Sequence, residues 1–138
     1  MKVINGNIAN TEAGFHVAAQ NLLRVMHLIE ERMGLATLVP GTLNVRIEEE
    51  YVVRPCKVLT PEEYGQNETI MLQRSLINGY RAIIMRPDTH ERISGYGHGK
   101  NHLELMGRVN FRETLRLQDG DAVTVEVEGD DAWWDSGT

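Results

Sequence analysis

The run Pro40-Gly41-Thr42-Leu43-Asn44 is where side-chain type and spacing first suggest chemistry. If it opens a strand, Thr42 and Asn44 leave the same face, one above the other. Each offers a neutral oxygen, and such oxygens suit a hard cation such as magnesium. Neither brings charge, so a cation held there needs further oxygens, which phosphates would supply. On chemistry alone the same pair also reads as a solvated strand face after a turn, a common arrangement on half-exposed strands.

Other groups say less. Gly95, Gly97 and Gly99 precede Lys100. Their backbone amides could wrap an anion, with Lys100 as a point charge. The run lacks the spacing of a phosphate-binding loop, and a surface loop explains it. His90, His98 and His102 have no cysteine near them and no diagnostic metal spacing. Asp119-Gly120-Asp121 lacks the further acidic positions of a calcium loop and reads as a turn. Cys56, beside Pro55 in an apolar stretch, reads as structural. No Ser/His/Asp order or paired-carboxylate spacing stands out.

The elements that must position these groups are mostly strands. Lys2–Ala9 alternates loosely. Leu43, Val45 and Ile47 alternate with Thr42, Asn44 and Arg46, the pattern of a half-buried strand. Tyr51–Arg54 is expected to be its second arm, making Gly41–Arg54 a hairpin. Ile70–Ile77 and Tyr80–Met85 flank Asn78-Gly79, the strongest short hairpin signal in the chain, and Pro87 ends the second arm. Pro61–Thr69 reads as loop with at most one helical turn, and Asp88–Asn101 as a mobile loop. His102–Met106 and Val123–Val127 are two further strands.

Two helices complete the reading. Phe15, Ala19, Leu22, Met26, Ile29 and Met33 form one apolar stripe, which predicts a long N-terminal helix of about five turns stopped by Gly34. Asn110 has the form of an N-cap, with Glu113 where a capping box places its acid, ahead of a short helix over Phe111–Leu115. Gly129–Thr138 is acidic and is expected to fray.

The chain has 138 residues and no repeat or linker, so a single domain over 1–138 is expected. The net charge of −6 argues against a nucleic-acid partner, while leaving room for a small anion. One cysteine allows no internal disulfide and suits a reducing compartment. No signal peptide or membrane span is legible, and a cytoplasmic protein is expected.

Three blocks then fall into a known order: Pro40–Ile47 (PGTLNVRI), Ala82–His90 (AIIMRPDTH) and His102–Val127 (HLELMGRVNFRETLRLQDGDAVTVEV). Together they resemble the CTP-dependent, archaeal-type riboflavin kinases. The resemblance implies a mainly β, α+β fold: a small cradle-loop β-barrel of about six strands with peripheral helices. It implies transfer of a phosphoryl group from CTP to riboflavin, giving FMN. It matches Thr42 and Asn44 to magnesium ligands, and Thr89 and Glu104 to flavin contacts. It matches Val109, Asn110, Phe111 and Arg112 to a nucleotide-contacting stretch, with Asn10, Thr11 and Gly14 at the place of the nucleotide loop. Glu104 is then the candidate for orienting or deprotonating the acceptor hydroxyl. The chain departs from the family where a glycine-rich loop is usual: Asn10–Gly14 holds one glycine. The loop between Thr89 and Glu104 is also longer. Two other readings stay open: a flavin- or nucleotide-binding module of the same fold, and a structural or regulatory barrel.

Overall fold

The computed structural model of the chain describes residues 1–9, 19–97 and 99–138. Its strands are β1 (Lys2–Ile8), β2 (Leu43–Ile47), β3 (Lys57–Leu59), β4 (Ile70–Ile77), β5 (Tyr80–Pro87), β6 (His102–Gly107) and β7 (Ala122–Val127). They form one antiparallel sheet in the order β3-β4-β5-β6-β2-β1-β7, and β7 also pairs with β4. That last pairing closes six strands into a barrel and leaves β3 as an added strand outside the ring. Closure removes the free edges of an open sheet.

The Asn78-Gly79 turn between β4 and β5 has φ of 49° and 80°, as a tight two-residue hairpin requires. Gly6 serves a different need. A Cβ there would lie 2.6 Å from the Arg46 carbonyl oxygen and 2.7 Å from Val45, so glycine lets β1 approach β2 closely.

Two apolar clusters flank the barrel wall. The inner one fills the ring with Ile4, Ile8, Leu43, Val45, Ile47, Ile77, Ile84, Leu103, Leu105, Val123, Val125 and Val127. The outer one lies between the wall and the helix α1 (Ala19–Met33). Met26, Ile29 and Met33 of the expected stripe are buried there, joined by Val25, while Leu22 is half-buried. The described helix has 15 residues, so a long helix of about five turns is not supported, and Phe15 at the start of the stripe lies outside the described residues. The other helices are short: α2 (Pro61–Tyr64), α3 (Thr89–Arg92), α4 (Phe111–Thr114) and α5 (Asp131–Asp135).

Several expectations need correction. The Gly41–Arg54 hairpin does not form, because β2 pairs with β1 and β6 on its two sides. Tyr51 and Val53 are instead an extended segment whose alternate side chains enter the barrel core. The Asp88–Asn101 loop begins with α3. Cys56 is exposed, so it is not a core residue. The C-terminal segment is ordered: Asp130 caps α5 by accepting from the Trp133 amide at 2.8 Å. Trp134 is 3% exposed within the outer cluster, and Thr138 exchanges backbone hydrogen bonds with Gly79 and Arg81. Burial of one large aromatic outweighs the segment's acidity.

Candidate functional site

The site is built from β2 outward. Gly41 turns the chain with φ 96°, and the Val39 amide donates to the Gly107 carbonyl at 2.9 Å. This ties the start of β2 to the end of β6. Alternation then sends Leu43, Val45 and Ile47 into the barrel. It leaves Thr42, Asn44 and Arg46 on the opposite face. In the antiparallel register Asn44 stands opposite Glu104, and Arg46 opposite His102.

Asn44 is 1% exposed and Glu104 5%. Polar side chains buried this far need partners. Asn44 Oδ1 meets His102 Nε2 at 3.0 Å. Because Oδ1 only accepts, Nε2 carries the hydrogen.

Beside this row a cavity of about 200 Å³ opens, lined by Pro40, Gly41, Thr42, Gly107 and the stretch from Val109 to Arg112. Gly107 is small of necessity, since a Cβ there would collide with the Phe111 ring. Asn110 caps α4 by accepting from the Glu113 amide at 3.1 Å, which fixes the stretch at the rim. Arg112 reaches back from α4, its Nη2 donating to the Ala9 carbonyl at 2.8 Å and to Asp119 at 2.6 Å. The Ala9 amide donates to the Asn44 carbonyl at 2.9 Å. The ends of β1, β2 and β6 and the start of α4 therefore meet at one place. Among the described residues, the Thr42 hydroxyl has no hydrogen-bond partner.

The structure brings Thr42, Val109, Asn110, Phe111 and Arg112 around one cavity; Asn44 and Glu104, buried opposite each other on β2 and β6, do not line it. It does not bring Thr89 to that cavity: Thr89 is buried on α3 and its hydroxyl donates to Glu68. Asn10, Thr11 and Gly14 lie outside the described residues, as does His98. Lys100 pairs with Glu50 at 3.4 Å. The sequence reading missed His102 as the partner of Asn44, and the only signal for it is the register of β2 with β6.

The donor set has a definite character. Thr42 and Asn44 supply neutral hard oxygens on one face, and Glu104 supplies a carboxylate across from Asn44. Such oxygens fit a small divalent cation that keeps most of its coordination for water and phosphate. No group of three or more His, Cys, Asp or Glu side chains gathers as a metal cage among the described residues.

Comparison with known proteins gives the family. The family model of the CTP-dependent riboflavin kinases, described as a domain of unknown function (DUF120), matches residues 13–127. The chain belongs to that family. It is 30% identical over 129 residues to a riboflavin kinase of Pyrobaculum arsenaticum, covering 84% of this chain and 55% of that protein. It is 28% identical over 123 residues to one of Methanothermobacter thermautotrophicus, covering 85% and 94% respectively. A riboflavin kinase of Methanocella arvoryzae is 36% identical over 93 residues, 64% of this chain and 41% of that protein. The chain thus spans about half the length of several of the curated relatives it matches. No helix among the described residues is long and apolar enough to cross a membrane.

Proposed function

We propose that this chain transfers the terminal phosphoryl group of CTP to the ribityl 5′-hydroxyl of riboflavin, giving FMN and CDP. The observation that carries this reading is the cavity shared by Thr42 and the Val109–Arg112 stretch. It sets the oxygen row of β2 against the segment that the family likeness matches to nucleotide.

Phosphoryl transfer asks the protein mainly to position its reactants and to neutralise charge. In this reading Thr42 and Asn44 would hold magnesium, which would supply positive charge to offset that of the phosphates. Val109, Asn110 and Phe111 seat the nucleotide against the rim. Arg112 stands at that rim with its charge partly balanced by Asp119. Glu104, opposite Asn44, orients the acceptor hydroxyl and takes its proton as the new P–O bond forms. Thr89, with Glu104 a flavin contact, is carried by the family likeness rather than by the cavity. Asn10, Thr11 and Gly14 complete the nucleotide site on the same ground.

The test is to incubate the purified protein with riboflavin, magnesium and each nucleoside triphosphate and to follow FMN. FMN should form with CTP. Thr42→Ala should lower the rate about 100-fold, or about 2.7 kcal/mol of barrier, at unchanged stability. No FMN with any triphosphate would refute the reading. The burial of Asn44 favours a second reading, a module that binds flavin or nucleotide without transferring phosphate. Tight binding of either in the same samples, with no product, would establish it.

A further inference from the structure

Proposed metal ligands on β2 raise the question of what holds Asn44 in the orientation it needs. A carboxamide can turn either end outward, and only its oxygen serves a cation. Asn44 is 1% exposed, so its orientation is decided by protein neighbours rather than by solvent. His102 Nε2 lies 3.0 Å from Oδ1. His102 is not the residue opposite Asn44; that is Glu104, while His102 faces Arg46. The contact is therefore diagonal across the strand pair. Such neighbours lie about 7–8 Å apart at the backbone, within reach of a ring but not of a short side chain.

His102 is itself held. Its carbonyl accepts from Arg86 Nη2 at 2.8 Å, and Arg86 is 2% exposed in the barrel. The same arginine pairs with Glu91 of α3 at 2.7 Å. This fixes the start of β6 to the barrel interior, and the imidazole is presented to Asn44 from a braced backbone.

We infer that His102 is a positioning residue: by donating Nε2–H to Asn44 Oδ1 it keeps the carboxamide oxygen, not the nitrogen, available to a nucleotide-bound divalent cation. A carbonyl oxygen has two lone pairs. One takes the histidine hydrogen and the other remains for the cation. The inference rests on the proposed role of Asn44. Groups that orient metal ligands in this way typically change metal affinity 10–100-fold when removed.

The experiment uses the full chain, CTP and Mn²⁺ as a spectroscopic substitute for magnesium. Free Mn²⁺ is read by electron paramagnetic resonance, and CTP affinity in EDTA by calorimetry. His102→Leu should weaken Mn²⁺ binding to the CTP complex about 10–100-fold. Its affinity for CTP in EDTA should stay within about threefold of wild type. His102→Gln, which keeps an N–H donor, should restore most of the Mn²⁺ affinity. Should the leucine variant not fold, His102→Asn, too short for the diagonal, should show the same loss. Asn44→Ala separates the two levels of the argument. Weak Mn²⁺ binding in Asn44→Ala but wild-type binding in His102→Leu would overturn the inference alone. Wild-type Mn²⁺ binding in Asn44→Ala would overturn the metal role of Asn44 and the inference with it.

Discussion

The two ends of the β2–β6 strand pair are built on opposite plans. At one end, where β2 starts and β6 finishes, lies the cavity rimmed by Thr42, Gly107 and Arg112. At the other, the 51–54 segment closes the barrel. There Arg86 Nη1 donates to the Tyr51 carbonyl and to Glu91, and Glu91 also accepts from the Val53 amide at 2.7 Å. Gln73 accepts from the Arg54 amide at 2.9 Å and donates to the Tyr51 hydroxyl at 2.8 Å, which donates to Glu128 at 2.8 Å. Donors and acceptors at the closed end are thus spent on one another. At the cavity end the Thr42 hydroxyl is left without a described partner and Arg112 is half-buried. A paired network specifies structure, while the Thr42 hydroxyl at the cavity is available to a ligand.

Removing Arg86 should break the closed end most severely. Arg86→Met fills similar volume but takes from Glu91 its cation and from the Tyr51 and His102 carbonyls the arginine donor. Loss of one partner of a buried ion pair costs about 3–5 kcal/mol. Urea unfolding should show that loss through a lower midpoint at unchanged slope. A loss under about 1 kcal/mol would mean that the network is not what holds the plug.

Gly107→Ala probes the cavity end. The added methyl would meet the Phe111 ring and, at 3.1 Å, the Arg81 carbonyl. Overpacking of this kind costs about 1–3 kcal/mol. Because Phe111 lines the cavity, its displacement should also weaken CTP binding, by about tenfold for each 1.4 kcal/mol lost there. Calorimetric titration should show the affinity loss; unaltered CTP binding in a destabilised variant would remove Phe111 from the nucleotide site.

The same contrast explains which parts of the molecule were legible in its sequence. Alternation exposed β2 and the shared face of Thr42 and Asn44, because one side of that strand is purely core. The Asn78-Gly79 turn and the Asn110 cap were legible because backbone conformation there dictates residue type. The closed end was misread as a hairpin arm. Tyr51–Arg54 alternates like a strand, but apart from the Tyr51 amide, which donates to the Lys100 carbonyl, its backbone meets side chains of Gln73, Arg86 and Glu91 rather than a neighbouring ladder. β3 has three residues, too few for a period. α5 did carry a signal, Asp130 three residues before Trp133, which the acidic composition of the tail masked. His102 was missed as the partner of Asn44 because the two stand 58 residues apart and meet only once β2 and β6 are in register.

The smallest expected effect sharpens the contrast through pH. Burial foremost, with Glu128 adding and the Gln73 hydrogen bond opposing, pushes the Tyr51 phenol up from 10.0 to about 12. The fold therefore favours the neutral phenol. Its contribution is fully present below pH 10 and is lost as pH rises towards 12, where the folded chain binds more protons than the unfolded one. Tyr64, also raised to about 12 by burial, adds to the same loss. Tyr51→Phe should cost about 1 kcal/mol at neutral pH through its lost hydrogen bonds. It should also make the decline between pH 10 and 12 shallower without abolishing it, since Tyr64 remains. Unfolding free energies measured from pH 8 to 12 should show both effects. An alkaline decline as steep in the variant as in the wild type would mean that the Tyr51 phenol titrates in the folded barrel as it does in the unfolded chain, and that the closed end is wetter than its hydrogen bonds suggest.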